Sequence, residues 1–189
     1  MPFDKQGEPV WATDLVIADR IVAPILQTHA RDITLWRFHR RAAADAAGHQ
    51  FSLLVFTQPM VYAAIQQAIE VSPAVESLKA SGHLREIRHD CQRAGQANGI
   101  AATIDQQWDP VLQRAWPYFI MGVSASWLAM VQELALGIEA NSTELIDAYR
   151  SVDAQITKLW GLQGQHAFLH HLNGIYGYRP LSIQHWMQF

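Results

Sequence analysis

Residues 33–57 read ITLWRFHRRAAADAAGHQFSLLVFT, and the way this stretch divides decides the fold. Ile33-Thr34-Leu35-Trp36-Arg37-Phe38 is a β-branched and aromatic cluster, which favours a strand over 33–41. QFSLLVFT, 50–57, is the clearest strand in the chain. The alanine-rich residues between them, 42–48, form a poor strand and suit a long hairpin loop.

Helices flank this pair. Residues 10–30 carry Leu15, Ile21, Val22, Ile25 and Leu26 on one face, with Pro24 expected to kink or split the helix. After the second strand, Pro59 opens a helix on which Met60, Val61, Ala64, Ile65, Ala68 and Ile69 recur at helical spacing. Ser72-Pro73 starts a shorter helix by the same device, and Gly82 is its expected stop. Residues 84–90 are a candidate third strand. The expected fold is therefore α+β: a small, mainly antiparallel sheet of about three strands packed with helices, followed by a helical C-terminal half.

The small polar residues 94–99 (AGQANG) are the expected boundary between an α+β lobe, 1–93, and a helical lobe, 100–189, packed together as one domain. Asp109-Pro110 is a cap followed by proline, Trp116-Pro117 should break or kink the chain at that point, and 117–139 reads as a mostly buried helix. Asn141-Ser142-Thr143-Glu144 has the form of a capping box. Leu145, Tyr149, Val152, Ile156 and Leu159 then keep a seven-residue repeat, which predicts a helix packed along another. A last helix is expected over 163–173, ending at Gly174. The aromatic tail after it is expected to dock on the body.

Composition narrows the classes. Half of the 189 residues are hydrophobic and 16% are charged, the balance of a globular chain. Seven Trp is a high number, and Trp suits cores with polar edges, ligand pockets and interfaces. A net charge of −3 gives no general nucleic-acid footprint. The charge is uneven: residues 31–93 hold eight Lys/Arg against six acids, and residues 94–189 hold four against seven. The single cysteine, Cys91, excludes a disulfide within one chain, and residues 1–8 do not resemble a signal peptide, so the cytoplasm is the expected compartment. The eighteen uncharged residues 115–132 fall short of the roughly 20 that a spanning helix needs and include Pro117, Gly122, Ser124, Ser126 and Gln132. No membrane partner is expected.

Chemistry has two main candidate seats. On a strand over 33–41, Arg37, His39 and Arg41 share one face. With His49 from the next strand and Arg85 or Arg88 from the third, they are expected to converge near one end of the sheet. Arginine offers a planar fork for carboxylate or phosphate, and an adjacent histidine can shuttle a proton. The simpler reading is a solvated face whose arginines pair with Asp32, Asp45, Glu86 and Asp90. The second seat is QHAFLHH, 165–171, where His166 and His170 stand one above the other on a helix and can ligate one metal ion. The bland alternative packs them against Trp160 and Tyr176. No third ligand lies adjacent in sequence, so Glu133, Glu139, Asp147 and His185 are the candidates for that place. Cys91, beside His89, Asp90 and Arg93, is a weaker candidate as a reactive thiol. There is no Gly-x-Ser-x-Gly, Walker loop or Gly-x-Gly-x-x-Gly.

The succession of a helix, LWRFHRR, GHQFSLLVFT and a second helix, over about residues 10–90, resembles the small elimination domain of lantibiotic dehydratases. There, paired strands with basic residues help to recognise a modified peptide. Where that family alternates arginine with apolar residues on the second strand, this chain has Gln50, Ser52 and Leu54.

Three functions emerge as expectations. One is a binding domain that holds an anionic or aromatic small molecule between the Arg/His face (Arg37, His39, Arg41, His49, Arg88) and the helical half. Another is an enzyme, working through a metal ion on His166/His170 or through His39/His49 as acid and base. The third is a homodimeric or peptide-binding interaction protein built on the heptad helix or the aromatic tail.

Overall fold

The computed structural model describes residues 1–42, 48–89, 104–139 and 145–180. The capping-box candidate 141–144, Cys91, Asp90, Arg93 and His185 lie outside the described residues, as does the tail beyond 180.

The chain opens with α1 (Trp11–Val16), a wide π-helical turn (Ile17–Val22) and α2 (Ala23–Thr28), which succeed one another without a break. Pro24 does not split this helix. It has no N–H to give to the Arg20 carbonyl four residues earlier, and the wide turn lies immediately ahead of it.

The antiparallel hairpin comes next: β1 (Ile33–Ala42) and β2 (His49–Thr57), with a bulge between Ile33 and Leu35. α3 (Pro59–Glu70) and α4 (Pro73–Ala80) both begin on proline. The turn that closes α4 has the Gly82 N–H on the Lys79 carbonyl at 3.0 Å, and the φ of 76° at Gly82 then lets the His83 N–H reach the Leu78 carbonyl at 2.9 Å.

The fold is α+β, but among the described residues the sheet has two strands and not three. Residues 84–89 form no strand. The Leu84 N–H is already spent on the Leu78 carbonyl, and the charged run after it buries little beyond Leu84 itself.

α5 (Pro110–Leu134) is capped by Asp109, whose Oδ1 accepts from the Val111 N–H at 2.8 Å, and it runs through Pro117. Only Ser124, Leu128 and Val131 of this helix are buried, while Tyr118, Phe119 and Val123 are exposed. The mostly buried helix expected over 117–139 is thus a one-sided one. No helix among the described residues is long and apolar enough to cross a membrane.

The chain forms two compact units, residues 1–153 and 154–189, and the division falls within α6 (Leu145–Leu159). In the first unit, a core joins Ala18, Val22 and Ala23 of the opening helix to Phe38 of β1 and Leu128 of α5. Trp36, Phe51, Leu53 and Trp127 pack around it. The outer edge of β1 is closed by α5: the Phe38 N–H donates to Ser124 Oγ at 3.1 Å. In α6, Leu145, Tyr149, Val152 and Ile156 of the expected heptad are buried, and Leu159 is exposed.

In the second unit, a π-helical segment (Trp160–Gly164) leads into α7 (Gln165–Ile175). A Cβ on Gly164 would stand 3.0 Å from the Trp160 ring, so glycine lets Trp160 stack on Phe168.

Candidate functional site

The hairpin register sorts the candidate residues into two groups. Arg37 pairs with Leu54, His39 with Ser52 and Arg41 with Gln50, so these six share one face. Trp36 pairs with Val55, Phe38 with Leu53, Arg40 with Phe51 and Ala42 with His49 on the other. The expected convergence of His49 with Arg37, His39 and Arg41 does not occur. His49 pairs with Ala42, three steps along the ladder from His39, and an odd number of steps changes the face of a strand. Arg88 is not on a strand at all: it is exposed and ion-paired with Glu86.

On the outward face, His39 is exposed while Arg37 and Arg41 are half-buried. Burial pulls the Arg37 guanidinium below the usual arginine range. Arg41 also donates to the Gly48 carbonyl at 3.2 Å, across the mouth of the hairpin. The residues opposite these three across the ladder are Leu54, Ser52 and Gln50. Alternate residues on a strand stand about 7 Å apart, so the row presents three basic groups at regular intervals.

The inward face holds a cluster that the sequence reading missed. Asp14, wholly buried on α1, accepts from Arg40 Nε at 2.7 Å. His49, also wholly buried, brings Nε2 within 2.8 Å of the other carboxylate oxygen. The two atoms are close but outside hydrogen-bond geometry, and Nδ1 makes no hydrogen bond among the described residues. Trp11 meets the His49 ring edge-on at 5.1 Å. The Arg40 guanidinium lies 4.7 Å from the Trp11 ring and 4.8 Å from that of Trp127, a double cation–π contact. Burial pushes the nearby Asp153 carboxyl above the usual carboxylate range; Arg40 opposes that shift and Asp14 adds to it. One legible signal for this cluster existed. Asp14 stands in line with Trp11, Ala18, Ile21 and Ile25 on the apolar stripe of its helix, and an acid there must find a partner.

A second charged group forms where the π-helical turn meets α6. Buried Tyr149 donates its hydroxyl to Asp19 and accepts from Arg20 Nε at 2.7 Å, while Arg20 Nη2 reaches the Ile138 carbonyl at 2.6 Å. Burial, reinforced by Asp19, holds the Tyr149 hydroxyl well above the usual phenol range. The first cluster braces the opening helix against the hairpin, and the second braces it against α6.

In the second unit, His166 and His170 stand on one face of α7 with their rings stacked, centroids 5.3 Å apart and 19° from parallel. Gln165, Leu169 and Asn173 line the same shallow groove, which is open to solvent. Among the described residues, no three His, Cys, Asp or Glu side chains come together as a metal-ligand set. Of the expected third ligands, Glu133, Glu139 and Asp147 belong to the first unit, and Asp147 pairs there with Arg150.

The hairpin, its basic outward row and its braced inward face belong to a fold of the α+β class. No family model, curated protein or solved structure matches the chain.

Proposed function

We propose that this chain is a binding domain that takes an anionic ligand on the strand face formed by Arg37, His39 and Arg41. The register carries this reading: three basic side chains lie in one row, opposite Leu54, Ser52 and Gln50. Arg37 adds to it, because a guanidinium already partly stripped of water loses less hydration when it takes a carboxylate or phosphate. Arg40 belongs to the fold and not to this site, since it is committed to Asp14 between two indoles.

Citrate and inorganic phosphate are the probes. Calorimetric titration should show saturable binding that weakens with added salt. Arg37→Ala and Arg41→Ala should each weaken it about tenfold, the loss of one charge-assisted contact. Arg88→Ala, at an exposed pair outside the row, should leave it unchanged. Binding that ignores Arg37→Ala and Arg41→Ala would sink the proposal.

A further inference from the structure

We propose that His166 and His170 form a two-imidazole binding site for a divalent late transition metal ion, with Cu²⁺ as its preferred ion. The site lies in the second unit and is independent of the strand face.

Residues four apart on a helix are surface neighbours, and neutral imidazoles are ligands of choice for Zn, Cu and Ni. Here the two rings are already brought together. They stand 5.3 Å apart and nearly parallel, so rotation about the ring torsions turns one nitrogen of each toward a common point. Gln165 and Asn173 line the same surface, and their side-chain amides are of a type that can supply an oxygen ligand.

The neighbouring histidine does not belong to the pair. His171 Nδ1 is engaged with the Ala167 carbonyl at 2.7 Å, and its ring stands at 85° to that of His170. Three histidines in six residues are thereby divided into two that converge and one that is held aside.

The turn after α7 supplies a second, separate observation. The Gly177 and Tyr178 N–H groups return to the Gly174 and Asn173 carbonyls at 3.0 and 2.9 Å. Gly177 then takes φ 77° and Tyr178 φ 54°. A left-handed conformation is ordinary for glycine and costly for a bulky residue, and such strain gathers at functional sites. Its effect here is to fold the chain back so that the Tyr178 ring lies 5.6 Å from His170. Tyr178 is a positioning residue in this proposal, standing beside His170 on the folded-back chain.

With two nitrogens and open positions, the site should obey the general order of affinity, with Cu²⁺ ahead of Ni²⁺ and Zn²⁺. The test is titration of the metal-free full chain with each of these ions in a weakly coordinating buffer. Calorimetry gives the affinity, and the electron paramagnetic resonance of bound Cu²⁺ counts its nitrogens. One Cu²⁺ per chain with two imidazole nitrogens is expected. His166→Ala and His170→Ala should each weaken binding roughly tenfold or more, with the helix content of the chain unchanged by circular dichroism. His171→Ala should leave it within about twofold. The proposal is overturned if His171→Ala weakens binding as much as the other two variants. It is equally overturned if neither His166→Ala nor His170→Ala changes the affinity or the nitrogen count.

Discussion

Asp14 Oδ2 lies 2.7 Å from Arg40 Nε, an ion pair that ties the opening helix to the hairpin. The carboxylate is wholly buried, and its other oxygen faces the equally buried His49. Removing one member of such a set leaves the remaining charge without compensation. Asp14→Ala should therefore cost about 3–5 kcal/mol of stability, as the breaking of buried pairs does. Arg88→Ala, at an exposed pair, should change stability by less than about 0.5 kcal/mol. Urea denaturation of the two variants beside the parent chain makes the comparison.

Tyr149 donates to Asp19 and accepts from Arg20 while itself wholly buried. Tyr149→Phe keeps the ring and deletes both contacts, so it isolates the hydroxyl. A loss of about 1.5–3 kcal/mol is expected, the range for hydrogen bonds to charged groups. A hydroxyl without structural importance would give a melting temperature equal to the parent's.

Ser124 Oγ accepts from the Phe38 N–H and donates to the Ile120 carbonyl at 2.8 Å. Ser124→Ala leaves a buried backbone N–H on the β1 edge with no acceptor, at a cost of about 1–3 kcal/mol. Hydrogen exchange should show the Phe38 amide losing protection more than the amides of β1 that bond to β2.

Asp153 gives the pH dependence a definite sign. Its carboxyl is raised in the fold, by burial first, so between its unfolded and folded values the native chain holds more protons than the unfolded one. This contribution is most favourable below the unfolded value, about pH 4, and is lost as the pH rises through the folded value. Asp153→Asn removes the titration and should raise the melting temperature at pH 7 relative to the parent. The gain should shrink as the pH falls toward 4. A gain that grew on acidification would contradict the assignment.

The outward row gives the last expectation. Gln50 stands opposite Arg41 across the ladder, so Gln50→Glu places a carboxylate beside the row without disturbing the core face. It should weaken citrate binding about tenfold, the effect expected of losing one arginine contact, and leave the urea midpoint nearly unchanged. Calorimetry and denaturation of the same variant separate the two.

Much of this molecule is written in local sequence. The two strands arise from β-branched and aromatic clusters on either side of an alanine-rich loop. The starts at Pro59, Pro73 and Pro110 and the stop at Gly82 come from fixed φ and from a left-handed turn, which each residue sets by itself. The spacing of His166 and His170 is likewise a helical property.

Local sequence left partnership open. Arg40 and Arg41 are adjacent and chemically identical, yet one is held between Trp11 and Trp127 against Asp14 and the other belongs to the outward row. The choice rests on which face of the hairpin meets α1 and α5, and no window of sequence contains both sides of that contact. The missing third strand has the same origin, because the Leu84 N–H was taken by the end of α4. Local sequence set the elements through backbone preference. The tertiary structure assigned their charges, because a buried carboxylate such as Asp14 is tolerated only where distant residues arrive to neutralise it.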